Sequence, residues 1–170
     1  MKRKCSITTP LGEMCALVEQ NDLCGLWFAG QKHEPPDAGE CPDDPDHPVF
    51  SALRDQLDAY FAGQLQAFDL PLAPRGTAFQ MAVWALLRSI PAGTTTTYGA
   101  LARQLAGKRE GRLPAAQAVG GAVGHNPIAI VIPCHRVVGA DGSLTGYAGG
   151  LERKAALLAL ENVPSPEEQV

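Results

Sequence analysis

Residues 5 to 30, "CSITTPLGEMCALVEQNDLCGLWFAG", alternate β-forming and polar positions around two turn signals, Pro10-Leu11-Gly12 and Asn21-Asp22. A period of two broken in this way predicts a short antiparallel meander. The next stretch, "QKHEPPDAGECPDDPDHP", loses all periodicity, and its prolines and acids cannot bury apolar surface. It reads as a mobile surface connection. Helical spacing then appears at Val49, Leu53, Leu57, Tyr60 and Phe61, with Gly63 as a stop. The first part of the chain is therefore a small α/β unit ending near the loop "LPLAPRG".

Beyond that loop the period is mostly helical. "TAFQMAVWALLRSI" has a good N-cap in Thr77, a stop at Pro91, and an apolar stripe of Phe79, Val83, Leu86, Leu87 and Ile90. "TYGALARQLAG" offers Thr97 as N-cap and ends at Gly107, and after "KREGRL" Pro114 suits the first turn of "PAAQAVGGAVG". Two short helices joined by a turn, the second rich in alanine and glycine, fit a helix-turn-helix with a slender recognition helix, although two ordinary packed helices would give the same pattern. A β-rich run, "IAIVIPCHRVVG", follows and is expected to be a strand that stops at Pro133. The turn "ADGS", the glycine-rich "LTGYAGG" and a last helix, "LERKAALLALE", complete the pattern. The expected domains are residues 1–76 and 77–164, with a flexible tail at 165–170.

Composition alters this picture in two places. The net charge of −4 argues against nucleic acid, yet residues 1–75 hold 6 basic and 12 acidic side chains while residues 76–170 hold 8 and 6. From Arg88 to Arg136 the basic residues Arg88, Arg103, Lys108, Arg109, Arg112 and Arg136 are set against Glu110 alone. That window could meet phosphates, or it could be a solvated basic face. Five cysteines without a compact scaffold spacing point to reduced thiols rather than a disulfide framework. No apolar run is long enough for a bilayer, so a cytoplasmic protein is expected.

Cys134 is the one thiol with suggestive neighbours. Free cysteine is often a small buried hydrophobe. Successive strand residues point to opposite faces, so Cys134 and His135 could pair directly only if the strand breaks, as Pro133 allows. A thiol presented at the end of an element, with a histidine to take its proton, is a nucleophile. Glu161 lies three and four residues after Leu158 and Leu157 on the apolar stripe of the last helix, where an unpaired carboxylate would be costly. It could orient His135, or it could mark a solvated helix end.

"IPCHRV", preceded by "AVGGAVGHNP" and followed by "TGYAGGLERKAALLALE", resembles the O6-alkylguanine-DNA alkyltransferases, which repair DNA by direct reversal. The match is dense from about Phe79 to Glu161 and weaker in the N-terminal part, where "TPLGEM" and "YFAG" carry it. The resemblance implies a ribonuclease H-like α/β domain followed by a winged-helix-like domain with a helix-turn-helix. It implies a methylated-DNA–protein-cysteine methyltransferase that flips O6-alkylguanine out of double-stranded DNA, bound through the minor groove, and is consumed in one turnover. No cofactor is implied, and a monomer is expected, with cooperative binding along DNA left open.

Residue by residue, the resemblance makes Cys134 the alkyl acceptor, His135 a base acting through water, and Glu161 the carboxylate that polarises His135. Tyr98 would donate to the guanine ring, and Asn126 would bridge the recognition helix to the active-site segment. Val137, Tyr147, Ala148 and Val123 would line the base pocket. Thr97, Ala115, Ala116, Gly120 and Arg136 would face DNA. The chain departs from the family at Gln117, where an arginine finger is usual, and in the longer loop "AGKREGRLP". Glutamine can still fill the gap left by a flipped base but loses the charge, and Lys108, Arg109 and Arg112 are expected to compensate through phosphates. Some relatives hold a structural zinc. Cys5, Cys24 and His33 are the candidates here, but no compact metal spacing is present, and no metal is expected. The rival reading is a helix-turn-helix regulator with a sensory thiol.

Overall fold

The computed structural model describes residues 1–32, 34–35 and 38–163. His33 and the expected tail at 165–170 lie outside the described residues. The chain divides into two compact units: Met1–Arg75 with Pro127–Val131, and Gly76–Asn126 with the chain from Ile132 onward. Sequence patterning alone, which draws one boundary near residue 76, gives no hint that 127–131 returns to the first unit.

In the first unit, β1 (Lys2–Thr9), β2 (Gly12–Glu19) and β3 (Asp22–Phe28) form the expected antiparallel meander. The β2–β3 turn uses Gln20 and Asn21, both at positive φ (51° and 69°), one residue earlier than the Asn21-Asp22 signal. Two such residues match the right-handed strand twist, and Asp22 becomes the first residue of β3. Helix α1 (Pro48–Phe61) is capped by His47, whose Nδ1 accepts from the Val49 amide at 3.1 Å. It packs Val49, Phe50, Leu53, Leu57 and Tyr60 into the core, with Phe50 in the place expected for Phe61.

Neither outer strand is left bare. Lys4 of β1 exchanges backbone bonds with Pro42 and Asp44, both at 3.0 Å. On β3, Leu23 bonds Pro71 and Ala73 at 2.8 Å, and Leu26 bonds Pro127 and Ala129 at 2.9 Å. Covering these edges removes a template for strand addition. The proline-rich stretch expected to be a mobile connection is thus fixed to the sheet at residues 42–44. Its lack of periodicity is real, but backbone pairing needs no side-chain pattern.

The second unit opens with α2 (Ala78–Leu87). Thr77 and Gln80 make a reciprocal capping box, and Val83, Trp84 and Leu87 are buried. A two-residue strand β4 (Thr96–Thr97) leads into α3 (Tyr98–Gly107), whose cap is the Thr97 hydroxyl, accepting from the Ala100 amide at 3.0 Å. Helix α4 (Ala116–Gly124) starts two residues later than Pro114 suggests, and its N-cap, Ala115, has no side chain that can cap. Helices α3 and α4 pack on each other and on α2, giving the expected helix-turn-helix arrangement. Helix α5 (Leu151–Leu160) ends the unit. No helix among the described residues is long and apolar enough to cross a membrane.

The strand expected at 128–133 does not exist. Ile128, Ala129, Ile130 and Ile132 are buried, but Ile130 sits at φ 70° and the local bonds are tight turns, Val131 to Ala129 and Cys134 to Ile132, both 2.8 Å. An uninterrupted apolar run reports burial, not strand geometry. Cys134–Arg136 forms a 3₁₀ turn, and only Val137–Val138 is extended (β5), pairing in parallel with β4.

Trp84 joins α2 to α4: its buried indole N–H donates to the Ala122 carbonyl at 2.8 Å, one of the last-turn carbonyls a helix cannot satisfy itself. Trp84→Phe keeps most of the apolar volume but strands that carbonyl. Urea denaturation is expected to show a decrease in stability of about 1–3 kcal/mol; unchanged stability would show that this bond contributes nothing.

Candidate active site

Cys134, His135 and Arg136 occupy one 3₁₀ turn after Pro133. Three residues per turn send successive side chains in three directions, so the neighbours serve different partners. Arg136 and His135 both turn inward to Glu161, the residue that follows α5. His135 Nε2 donates to Glu161 Oε2 at 2.8 Å; Arg136 Nε and Nη2 donate to Oε1 and Oε2 at 2.8 and 2.9 Å. Arg136 Nη1 also donates to the Ile90 carbonyl at 2.6 Å. The Glu161 side chain is 2 % exposed and that of His135 is 0 %.

This arrangement corrects one expectation. Arg136, expected to face DNA, is buried and forms a two-pronged pair with Glu161. A guanidinium that is buried and neutralises a buried carboxylate is not presented to a phosphate outside. The solvated-end alternative for Glu161 also fails, because the residue is held by three charge-assisted bonds.

His135 is held in one tautomer. With Nε2–H donated to Glu161, the neutral ring carries its lone pair on Nδ1, which is buried and has no hydrogen-bond partner among the described residues. Burial pushes the imidazole below its ordinary pKa, with Arg136 and Lys154 acting in the same direction against the raising influence of Glu161. The ring is therefore neutral near pH 7 and can accept a proton.

The Cys134 thiol is buried, and burial pushes its pKa up. A side-chain hydrogen bond from Asn126 and the charge of Lys154 oppose that shift. Asn126 also donates to the Ile132 carbonyl at 2.7 Å, so one amide reaches both the sulfur and the backbone leading to it. At rest the site holds a protonated thiol and a neutral imidazole, and the thiol can become a thiolate once a base removes its proton.

Lys154 is absent from the residues that the sequence singles out. Its side chain is fully buried, its pKa is lowered to about 8 by burial, and Nζ donates to the Thr145 carbonyl at 2.8 Å. A signal exists in the spacing: Lys154 lies three and four residues before Leu157 and Leu158, on the apolar stripe shared with Glu161. Tyr98, at the first position of α3, directly follows β4, whose Thr96 and Thr97 pair with Val137 and Val138 of β5. Its hydroxyl accepts from Thr145 Oγ1 at 3.0 Å.

The remaining residues fall into two groups. Val137 and Val123 are buried, and Tyr147 and Ala148 are half-buried in the loop before α5. Ala115, Ala116 and Gln117 are exposed at the start of α4, Gly120 is half-buried, and Thr97 is half-buried with its oxygen engaged as the α3 cap. Lys108, Arg109 and Arg112 are exposed in the loop between α3 and α4, where Glu110 and Gly111 take positive φ and Arg109 lies 5.7 Å from the Phe79 ring centroid.

No group of three or more metal-ligating side chains occurs among the described residues. The zinc candidates are separately engaged: Cys5 donates to the Ser6 carbonyl and accepts from Arg54, and Cys24 donates to the Leu17 carbonyl. His33 lies outside the described residues. All five cysteines are free thiols.

Known proteins match this chain along nearly its whole length. Residues 3–74 match the model of the 6-O-methylguanine DNA methyltransferase ribonuclease-like domain, and residues 78–163 that of the DNA binding domain of the same family. A methylated-DNA–protein-cysteine methyltransferase of Mycobacterium bovis is 47% identical over 163 residues, covering 96% of this chain and 94% of its own. One from Haemophilus influenzae is 41% identical over 157 residues, covering 92% and 84%. The crystal structure of Mycobacterium tuberculosis OGT in complex with DNA superposes with a TM-score of 0.86 at 46% identity, covering 98% of this chain and 96% of that one. By these matches, over both halves and at this identity, the chain belongs to the 6-O-methylguanine DNA methyltransferase family.

Proposed function

We propose that this protein repairs O6-alkylguanine, chiefly O6-methylguanine, in double-stranded DNA by taking the alkyl group onto Cys134, once per molecule. The observation that supports this best is the buried relay beside the thiol: a neutral His135 whose proton-bearing nitrogen is fixed on Glu161 and whose lone pair is left on Nδ1. A base arranged in this way, in a protein of this family, matches a reaction that must ionise a buried thiol only when substrate is present. A regulator with a sensory thiol has no comparable use for a histidine that stays neutral.

In the reaction the Cys134 proton passes through water to His135 Nδ1, and the sulfur attacks the alkyl carbon opposite the C–O6 bond. The S–C bond forms as the C–O6 bond breaks, and guanine leaves with the bonding pair and takes a proton from water, while the proton held by His135 is returned to water. In-line displacement needs the sulfur about 3–3.5 Å from the carbon, which a flipped base held by surrounding groups provides. Tyr98 donates its hydroxyl proton to the guanine ring and so stabilises the charge that develops there. Asn126 holds the sulfur in place. Val137, Tyr147, Ala148 and Val123 enclose the base and its alkyl group, with the Val137 and Ala148 main chain meeting the guanine edge.

The exposed, small-residue start of α4 suits the minor groove, where a helix must come close to the backbone. Gln117 fills the space left by the flipped nucleotide, and Ala115, Ala116, Gly120 and Thr97 meet the DNA with it. Lys108, Arg109 and Arg112 meet phosphates from the long loop. Such a protein acts where DNA is, as a monomer in the cytoplasm.

Mixing the protein with a duplex carrying O6-methylguanine is expected to add the mass of one methyl group to the peptide containing Cys134, read by mass spectrometry, with unmodified guanine left in the DNA. An unmodified Cys134 peptide defeats the proposal. The roles of the DNA-facing residues separate in one series of measurements. Gln117→Ala should slow repair of the duplex much more than reaction with free O6-benzylguanine, and equal slowing rejects the gap-filling role. Neutralising Lys108, Arg109 and Arg112 should flatten the salt dependence of DNA binding by about 0.9 in log–log slope for each phosphate that is no longer neutralised; an unchanged slope excludes them from the phosphates.

A further inference from the structure

Thr145 bonds to two parts of the site, one through its main chain and one through its hydroxyl. Its carbonyl accepts from the buried Lys154 ammonium at 2.8 Å, and its hydroxyl donates to the Tyr98 hydroxyl at 3.0 Å. Lys154 belongs to the first turn of α5 and Tyr98 to the first position of α3. Between Gly139 and Gly150 the chain has no helix or strand, and these bonds, with that of Arg153 Nη1 to the Gly149 carbonyl at 3.1 Å, fix the loop from outside.

A phenol hydroxyl has one proton to donate and two acceptor positions. When Thr145 fills one acceptor position of Tyr98, the Tyr98 proton is turned away from Thr145. Without a donor in that position nothing directs the phenol proton, which is then spread over its rotational positions and must be brought into line before it is donated.

We propose that Thr145 is a positioning residue for alkyl transfer: it aims the Tyr98 proton at the guanine ring while Lys154 anchors its main chain. The inference rests on the reading that Tyr98 donates to the flipped base. Because Lys154 holds the carbonyl and not the side chain, replacing the hydroxyl leaves the loop anchored. Preorienting a donor affects the step in which charge develops on guanine, so the maximal rate falls while the concentration of DNA for half-maximal rate stays constant.

Single-turnover transfer from an O6-methylguanine duplex would be followed for the wild type, Thr145→Val, Thr145→Ser, Tyr98→Phe and the double variant Tyr98→Phe/Thr145→Val. The valine variant, close in shape but lacking the hydroxyl, should lower the maximal rate about 5-fold, the size expected for one hydrogen bond. The half-saturating DNA concentration should be unchanged, the serine variant should recover most of the rate, and Thr145→Val should add no further slowing once Tyr98 is phenylalanine. Wild-type rate in Thr145→Val together with slow transfer in Tyr98→Phe overturns the role of Thr145 and leaves Tyr98 in place. Wild-type rate in Tyr98→Phe overturns the reading of Tyr98 itself, and with it this inference. Effects that multiply in the double variant show two independent roles and also overturn it. Should Thr145→Val melt early, Thr145→Ala against Thr145→Ser makes the same comparison.

Discussion

A single buried carboxylate organises the second unit. Glu161 accepts three charge-assisted hydrogen bonds, one from His135 and two from Arg136, while Arg136 reaches on to the Ile90 carbonyl. Those bonds tie the end of α5 to the 3₁₀ turn that carries Cys134 and to the segment leaving α2. Removing one partner of a buried charge pair costs about 3–5 kcal/mol, because the survivor is left uncompensated. The turn is too short to hold itself, and this clamp from outside gives Cys134 a fixed position.

The same carboxylate fixes which ring nitrogen of His135 carries the proton. Were Glu161 to face an exposed His135 alone, its charge would favour imidazolium. Burial disfavours a charged ring most, and Arg136, which takes two of the carboxylate's bonds, adds a positive charge nearby. His135 therefore waits as a neutral base. Cys134, raised by burial and partly relieved by Asn126 and Lys154, waits as a thiol. A nucleophile of this kind resists stray reagents until an aligned electrophile is present beside the base. Lys154 and Thr145 link α5 to Tyr98 at the start of α3.

Much of this is legible in the sequence, for identifiable reasons. The meander, α1, the Thr77 cap of α2 and the Thr97 cap follow from patterns whose physics is local: alternation, helical spacing and short polar caps. A carboxylate on an apolar stripe offers Glu161 as a partner for His135 without deciding it, and the family resemblance names the pair. What is not legible depends on tertiary context. The run 128–133 is as apolar as a strand, but Ile130 at positive φ makes it a buried turn. Arg136 groups with the exposed basic residues in the sequence because its charge, and not its burial, is visible there. Lys154 does not stand out because a lysine on an apolar stripe usually extends its amine to water, whereas here the Thr145 carbonyl receives it. Pro114 marks the approach to α4 and not its first turn, since Ala115 takes the cap without a side-chain bond.

The central claim is that burial, helped by Arg136, keeps His135 neutral while Glu161 holds its proton on Nε2. Imidazole ¹⁵N shifts of the free protein test it most directly. His135 is expected to show a protonated Nε2 and an unprotonated Nδ1 at neutral pH, and to keep that pattern as the pH falls through 6.5, the ordinary value for histidine. Two protonated ring nitrogens at pH 6.5, or a proton on Nδ1 in place of Nε2, would contradict it.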